Sequence, residues 1–230
     1  EGFVFIKMNF SHNGLSLEED YYFEDLEAFG QNNFSIELDD IDVMLKGLGR
    51  GGKKAPIGKE ELDFNQIGII GHSRGGTIAL LKATESQEIK AAVSWAAVDD
   101  LVAQYASVAK QKDWKKQGVI YSKNGRTQQD MPMNYQLYED TIKNAERLSL
   151  EKAVKKTKKP ILVFHGTKDE ALPMQMAKNI QSWGKTVTLI EVKGADHVFG
   201  AKHPYTEKDL PELLEKVCEQ TASFFTGNLV

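Results

Sequence analysis

Phe64-Asn65-Gln66-Ile67-Gly68-Ile69-Ile70-Gly71-His72-Ser73-Arg74-Gly75-Gly76 decides the fold of this chain. The run before Gly71 is short, apolar and rich in isoleucine, so a strand is expected over residues 66–70. After Ser73 a helix is expected over 75–84, with Ile78, Leu80 and Leu81 available for burial. A strand that turns at once into a helix belongs to a parallel sheet, because a crossover must carry the chain back before the next strand can start.

The same alternation extends outward in both directions. Further strands are expected at 3–8, 89–98, 160–165 and 186–192. Residues 9–33 are polar and read as loop, as does the basic, glycine-containing stretch 49–65. Leu38, Ile41, Leu45 and Leu48 recur at helical spacing, and Gly49 follows as a stop signal. Pro173 fits the first position of a helix, where its missing N–H is not needed. Met176, Ile180 and Trp183 line that helix and Gly184 ends it, while Leu210, Leu213, Leu214, Val217, Phe224 and Phe225 mark a terminal helix. The expected fold class is α/β, a mostly parallel sheet flanked by helices on both faces. The rhythm breaks over 99–159. This stretch of about sixty residues is longer than a crossover needs, and it holds Trp114, Tyr121, Tyr135 and Tyr138. The reading is a single domain over 1–230 with a helical cap inserted at 99–159, the alternative being ordinary surface helices.

Composition narrows the class. With 230 residues the chain is long enough to bury a sizeable core, and 41% hydrophobic with 27% charged residues is ordinary for a globular protein. A net charge of -4 gives no reason to expect nucleic acid or an anionic membrane as partner. No apolar run approaches the ~20 residues that cross a bilayer. The lone cysteine, Cys218, cannot form an internal disulfide, which fits a reducing compartment and makes a cytoplasmic location the expectation.

Ser73 has the setting that a nucleophilic serine requires: a sharp turn from strand to helix that raises the hydroxyl above the sheet. Gly71 and Gly75 supply the lack of bulk expected around the turn, and Gly76 allows the helix to pack closely. The backbone N–H of Arg74, at the helix start, is the expected oxyanion donor. Such a serine needs a base, and the base needs an orienting carboxylate. His165-Gly166-Thr167-Lys168-Asp169 and Gly194-Ala195-Asp196-His197 each follow an expected strand, in the order acid then histidine. Asp169 is therefore the candidate acid, with Glu170 its substitute, and His197 the candidate base. Asp196 reads as a turn residue, and Asp169 could alternatively cap a helix. His72 and His165 read as structural histidines, with His72 turned away from the site. The lysines at 155, 156, 158 and 159 read as a solvated face, and Met131 and Met133 as packing or pocket residues. His12 and His203 have no partner pattern, and no histidine pair has metal-ligand spacing, so neither metal nor cofactor is expected.

These three segments resemble those of the α/β-hydrolase superfamily, in the group that holds dienelactone-hydrolase-like and prolyl-oligopeptidase-like enzymes. The similarity spans most of the chain outside 99–159. Dienelactone hydrolases proper use cysteine where this chain has Ser73. The resemblance thus implies a serine hydrolase that cleaves a carboxylic ester through an acyl-enzyme, acting on a small-molecule ester or short peptide. A prolyl-oligopeptidase-like peptidase and a non-catalytic binding protein are the alternatives. It also implies further strands before 3–8, and a loop among them carrying a second oxyanion donor. The expectation is therefore an N-terminally truncated hydrolase. In that case the 3–8 strand either pairs directly with the Ser73 strand or detaches from the sheet.

Overall fold

The structure is a computed structural model that describes residues 2–16, 21–50, 62–111, 113–202 and 204–229. Elements are numbered in chain order. The chain divides into two compact units, the first formed by Glu1–Val4, Gly47–Asp99 and Leu150–Val230, the second by Phe5–Lys46 and Asp100–Ser149.

The first unit is built on β1 (Ile67–His72), β2 (Ile89–Trp95), β5 (Ile161–Gly166) and β6 (Val187–Val192), which form a four-stranded sheet in that spatial order. All three pairings are parallel, as the strand-helix alternation predicted. β5 is buried along its whole length, which explains why it reads as an unbroken apolar run rather than an alternating one. The strands are joined or flanked by α3 (Arg74–Glu85), α7 (Leu150–Lys156), α8 (Met174–Trp183) and α9 (Glu212–Leu229). Val93, Leu162 and Phe164 of the sheet cluster with Phe199 and with Val217 of α9. Gly68 is the seat for that helix on β1: a Cβ there would lie 2.5 Å from the Phe225 ring. Pro173 is the cap of α8 rather than its first residue, one position from expectation.

Two expectations change here. Residues 3–8 form no strand, and Phe3, Val4, Phe5 and Ile6 are exposed. An apolar run becomes a strand only when a neighbour receives its backbone groups, and no ladder pairing involves 3–8 among the described residues. Phe3 instead meets the Phe225 ring edge-on at 6.4 Å. Lys159 is not part of a solvated face. Its Nζ donates to the Ala83 carbonyl at 2.7 Å and to the Ser86 carbonyl, satisfying the C-terminal end of α3. Of the loop expected at 49–65, residues 51–61 lie outside the described residues.

The second unit contains α1 (Leu26–Gln31), most of α2 (Phe34–Arg50), α4 (Leu101–Gln111), α5 (Trp114–Gln117) and α6 (Gln136–Lys143). It also contains a hairpin of β3 (Val119–Lys123) and β4 (Asp130–Asn134). α1 lies inside the stretch read as loop. It is short, and Asp25 starts it by accepting the Ala28 N–H at 2.8 Å. α2 buries Leu38, Ile41 and Leu45 as their spacing predicted, and it runs through Gly49 to Arg50. The hairpin corrects the reading of 99–159 as helical throughout. Its register pairs Tyr121 with Pro132, and a proline together with polar end residues hides a strand from periodicity. Residues 150–159 group with the sheet unit instead.

Trp114 is fully buried and donates its Nε1–H to the Met133 carbonyl at 2.9 Å. It is a core residue of this unit, with the Tyr135 ring edge-on at 6.0 Å. Met131 is likewise buried as packing. Trp114→Ala is expected to lower the unfolding free energy by about 3–5 kcal/mol. Urea denaturation followed by tryptophan fluorescence checks this, and a loss below about 1 kcal/mol would contradict the assigned core role.

Candidate active site

β1 ends at His72 and α3 begins at Arg74, so Ser73 alone makes the turn, at φ 54 and ψ -128. A non-glycine residue held there costs about 1–3 kcal/mol. Its N–H donates to the Trp95 carbonyl at 2.8 Å, extending the β1-β2 ladder by one step, and its carbonyl accepts from Gly76 at 2.9 Å. The hydroxyl makes no capping bond to α3, although serine at a helix start usually makes one. Capping therefore does not account for the serine.

The glycines divide the work differently from expectation. A Cβ on Gly71 would lie 2.1 Å from the Gly75 carbonyl oxygen, so the turn closes only over a bare Cα. Gly75 itself faces open space, so the demand for small size falls on Gly71 and not on Gly75. Gly76 behaves as expected, since its Cβ would stand 3.1 Å from Ala97 and 3.3 Å from Ser94.

Asp169 follows β5 and uses both carboxylate oxygens. Oδ1 accepts the N–H groups of Ala171 at 2.9 Å and Leu172 at 2.8 Å. Oδ2 accepts the Nδ1–H of His197 at 2.8 Å. The Asp169 side chain is only 1% exposed and that of His197 is 22% exposed. Burial pushes the Asp169 carboxyl up, but the His197 bond and the two amides together hold it below the usual carboxylate value. An ionised carboxylate only accepts, so the imidazole proton is on Nδ1 and the lone pair is on Nε2. Glu170 is exposed, and the bond from His197 goes to Asp169. Asp196 is a turn residue, its Oδ1 accepting from Val198 and Gly200.

The loops carrying Asp169 and His197 are held together by main chain. Thr167 N–H donates to the Val192 carbonyl at 3.0 Å, and Lys168 N–H to the Ala195 carbonyl at 2.8 Å. Thr167 Oγ1 accepts the Gly194 N–H at 2.8 Å. A Cβ on Gly166 would lie 2.3 Å from the Ala195 oxygen and 2.6 Å from that of Asp196. This close approach went unread in the sequence. The one available signal was the glycine directly after His165, at the end of an apolar strand.

His72 does not turn away from the site. Its ring lies 4.8 Å from that of His197, and its Nε2–H donates to the His197 main-chain carbonyl at 2.8 Å. Loss of water around the ring and the charge of His197 depress its basicity, outweighing the carbonyl bond and the Asp169 charge. The structure thus joins Asp169 to His197 and sets His197 against the residue preceding Ser73. Among the hydrogen bonds of the described residues, which include those from His197 Nδ1 to Asp169 and from His72 to the His197 carbonyl, none joins Ser73 Oγ to His197 Nε2. His165 is fully buried, with Nε2 donating to the Leu172 carbonyl at 3.0 Å. His12 Nδ1 meets Ser11 Oγ at 2.8 Å in the second unit, and His203 lies outside the described residues. Among the described residues no cluster of three or more His, Cys, Asp or Glu could hold a metal ion. No helix among them is long and apolar enough to cross a membrane.

Comparison with known proteins identifies the family and the fold. The family described as BD-FAE matches residues 50–183, more than half of the chain. The chain belongs to the BD-FAE family. It is an α/β-hydrolase by fold, and solved structures agree with that. Est1E from Butyrivibrio proteoclasticus, solved with ferulic acid bound, superposes with a TM-score of 0.61 at 21% identity, over 87% of this chain and 71% of that one. A monoacylglycerol lipase from Paleococcus ferrophilus gives 0.59 at 18% identity, over 86% and 77%. The uncharacterized peptidase YuxL of Bacillus subtilis (strain 168) is 24% identical over 162 residues, 69% of this chain. The chain spans only 22% of the length of that curated relative.

Two expectations follow for this BD-FAE chain. Gly71→Ala should disrupt the turn at Ser73 and lower the melting temperature markedly, whereas Gly75→Ala should leave both nearly unchanged. Thermal unfolding of each variant checks the pair, and an equal loss in both would refute the assigned contact. The second concerns pH. His72 binds its proton less readily folded than unfolded, so its contribution to stability is complete above the usual histidine value of about 6.5 and is lost as pH falls below it. Asp169 adds a similar loss at lower pH, below the usual carboxylate value of about 3.9. Melting temperature should therefore drop between pH 7 and pH 5, and His72→Gln should flatten that part of the curve. An unchanged slope in the variant would be the contrary result.

Proposed function

We propose that this protein is a serine hydrolase that cleaves a carboxylic ester through an acyl-enzyme, with Ser73 as nucleophile, His197 as base and Asp169 as acid. The observation that carries the proposal is the 2.8 Å bond from His197 to a buried Asp169 carboxylate, which leaves the Nε2 lone pair free on a ring that lies 4.8 Å from the ring of His72, the neighbour of Ser73. Ser73 Oγ attacks the ester carbonyl carbon and its proton passes to Nε2. Asp169 stabilises the resulting imidazolium. The Arg74 N–H, at the N-terminal end of α3, donates to the oxyanion. Collapse expels the alcohol, which takes the proton from Nε2. Water then repeats the sequence and releases the acid. No step requires a metal or cofactor.

The esterase and lipase among the structural neighbours support an ester as substrate, and Est1E with its bound ferulic acid makes esters of aromatic acids the first compounds to try. The name of the matched peptidase favours a second reading, a short peptide cleaved by the same residues. Of the stretch 99–159, the part outside the sheet unit, 100–149, is proposed as a cap that selects the substrate, a reading supported by its length and aromatic content. Buried Trp114 is unsuitable for testing it, and exposed Tyr121 is the better probe.

A fluorophosphonate should label Ser73 alone, and Ser73→Ala should remove both labelling and turnover. Asp169→Asn should keep the fold and lower kcat by roughly two to four orders of magnitude. Wild-type turnover in Ser73→Ala would end the proposal. Faster cleavage of aminoacyl-anilides than of aryl esters would select the peptidase reading.

A further inference from the structure

We propose that His165 is a positioning residue for Asp169, acting on the carboxylate oxygen that also accepts from His197. This inference rests on the triad assigned above and extends it by one residue.

The observations form a chain of contacts. His165 Nε2 donates to the Leu172 carbonyl at 3.0 Å. The N–H of the same Leu172 donates to Asp169 Oδ1 at 2.8 Å. Leu172 is thus gripped at both ends of one residue, by His165 on its carbonyl and by the acid on its amide. His165 Nε2 also lies 3.4 Å from Asp169 Oδ2, the oxygen that accepts the His197 proton. Both oxygens near Nε2 are acceptors, so that nitrogen must carry a proton. The opposite tautomer would aim a lone pair at two oxygens.

The other ring nitrogen makes the residue choice informative. His165 is fully buried, and its Nδ1 has no hydrogen-bond partner among the described residues. A buried polar atom left unpaired destabilises the fold, and an apolar side chain at the end of β5 would avoid that. What histidine adds over such a side chain is the Nε2–H directed at Leu172 and Asp169. Its effect is to hold the turn 169–172 closed and to present a positive edge to Oδ2, so that the carboxylate cannot rotate away from His197. The other titratable groups nearby act elsewhere. His72 approaches from β1 and bonds the His197 carbonyl, and Asp196 is turned onto its own loop.

The test uses the full chain with His165→Phe, which keeps a ring and loses the donor, and His165→Gln, which keeps an N–H donor. Thermal unfolding first establishes that each variant folds. The proposal expects the downfield imidazole Nδ1–H proton signal of His197 to weaken or vanish in His165→Phe and to return in His165→Gln. On the best ester substrate, kcat should fall roughly 10- to 100-fold in His165→Phe with KM within about twofold, a size typical of groups that orient a ligand from behind. His165→Gln should recover most of it. A folded His165→Phe with wild-type kcat and an unchanged His197 signal would overturn the proposal, as would His165→Gln faring no better. If His165→Phe does not fold, nitrogen NMR of the wild-type protein decides instead: a proton on His165 Nδ1 rather than Nε2 overturns the proposal. Activity that survives Ser73→Ala would instead defeat the hydrolase reading, while the His197 proton signal would still judge His165.

Discussion

The pairing of β5 with β6, carried past the ends of both strands, is the constraint on which the site depends. The ladder runs in register to Gly166 and Val192, and the two loops then continue to exchange main-chain bonds through Thr167 and Lys168. Gly166 has room for no side chain because the Ala195 and Asp196 carbonyls press against it. Asp169 and His197 are therefore brought together by backbone, which does not change rotamer. Their own hydrogen bond then has little left to determine beyond ring orientation.

The elbow depends on a similar contact between backbone atoms. Gly71 admits the Gly75 carbonyl, the β1-β2 ladder reaches Ser73 through Trp95, and the helix starts at the next residue. Parallel strands place β1, β5 and β6 with their C-terminal ends on the same edge of the sheet, which is where open α/β sheets gather functional loops. His72 ties two of those loops through a single bond to the His197 carbonyl.

Much of this was legible in the sequence because each signal was local. The glycine pattern around Ser73, the apolar run ahead of Asp169, and the order of acid and histidine depend on neighbours within a few residues. What stayed hidden depends on distant ones. Residues 3–8 have the composition of a strand, yet a strand is defined by its partner. β4 includes Pro132 and polar ends, so its pairing with β3 leaves no alternating pattern to read. His72 and His165 look like core or surface residues until the folded chain brings His197 and Leu172 to them. Gly166 is bare because of a loop about thirty residues downstream, and nothing beside it in the sequence announces that.

Ser73 carries a consequence for laboratory evolution. At φ 54 and ψ -128 it occupies backbone space that only glycine enters freely, and its hydroxyl gives nothing back to the helix it precedes. A library screened for heat tolerance alone would reward replacing this serine with glycine, because relaxing the turn is the larger structural gain available there. With Ser73 as the nucleophile proposed above, selection for robustness and selection for chemistry would pull in opposite directions at this one position, so a stabilisation campaign would have to screen for both at once.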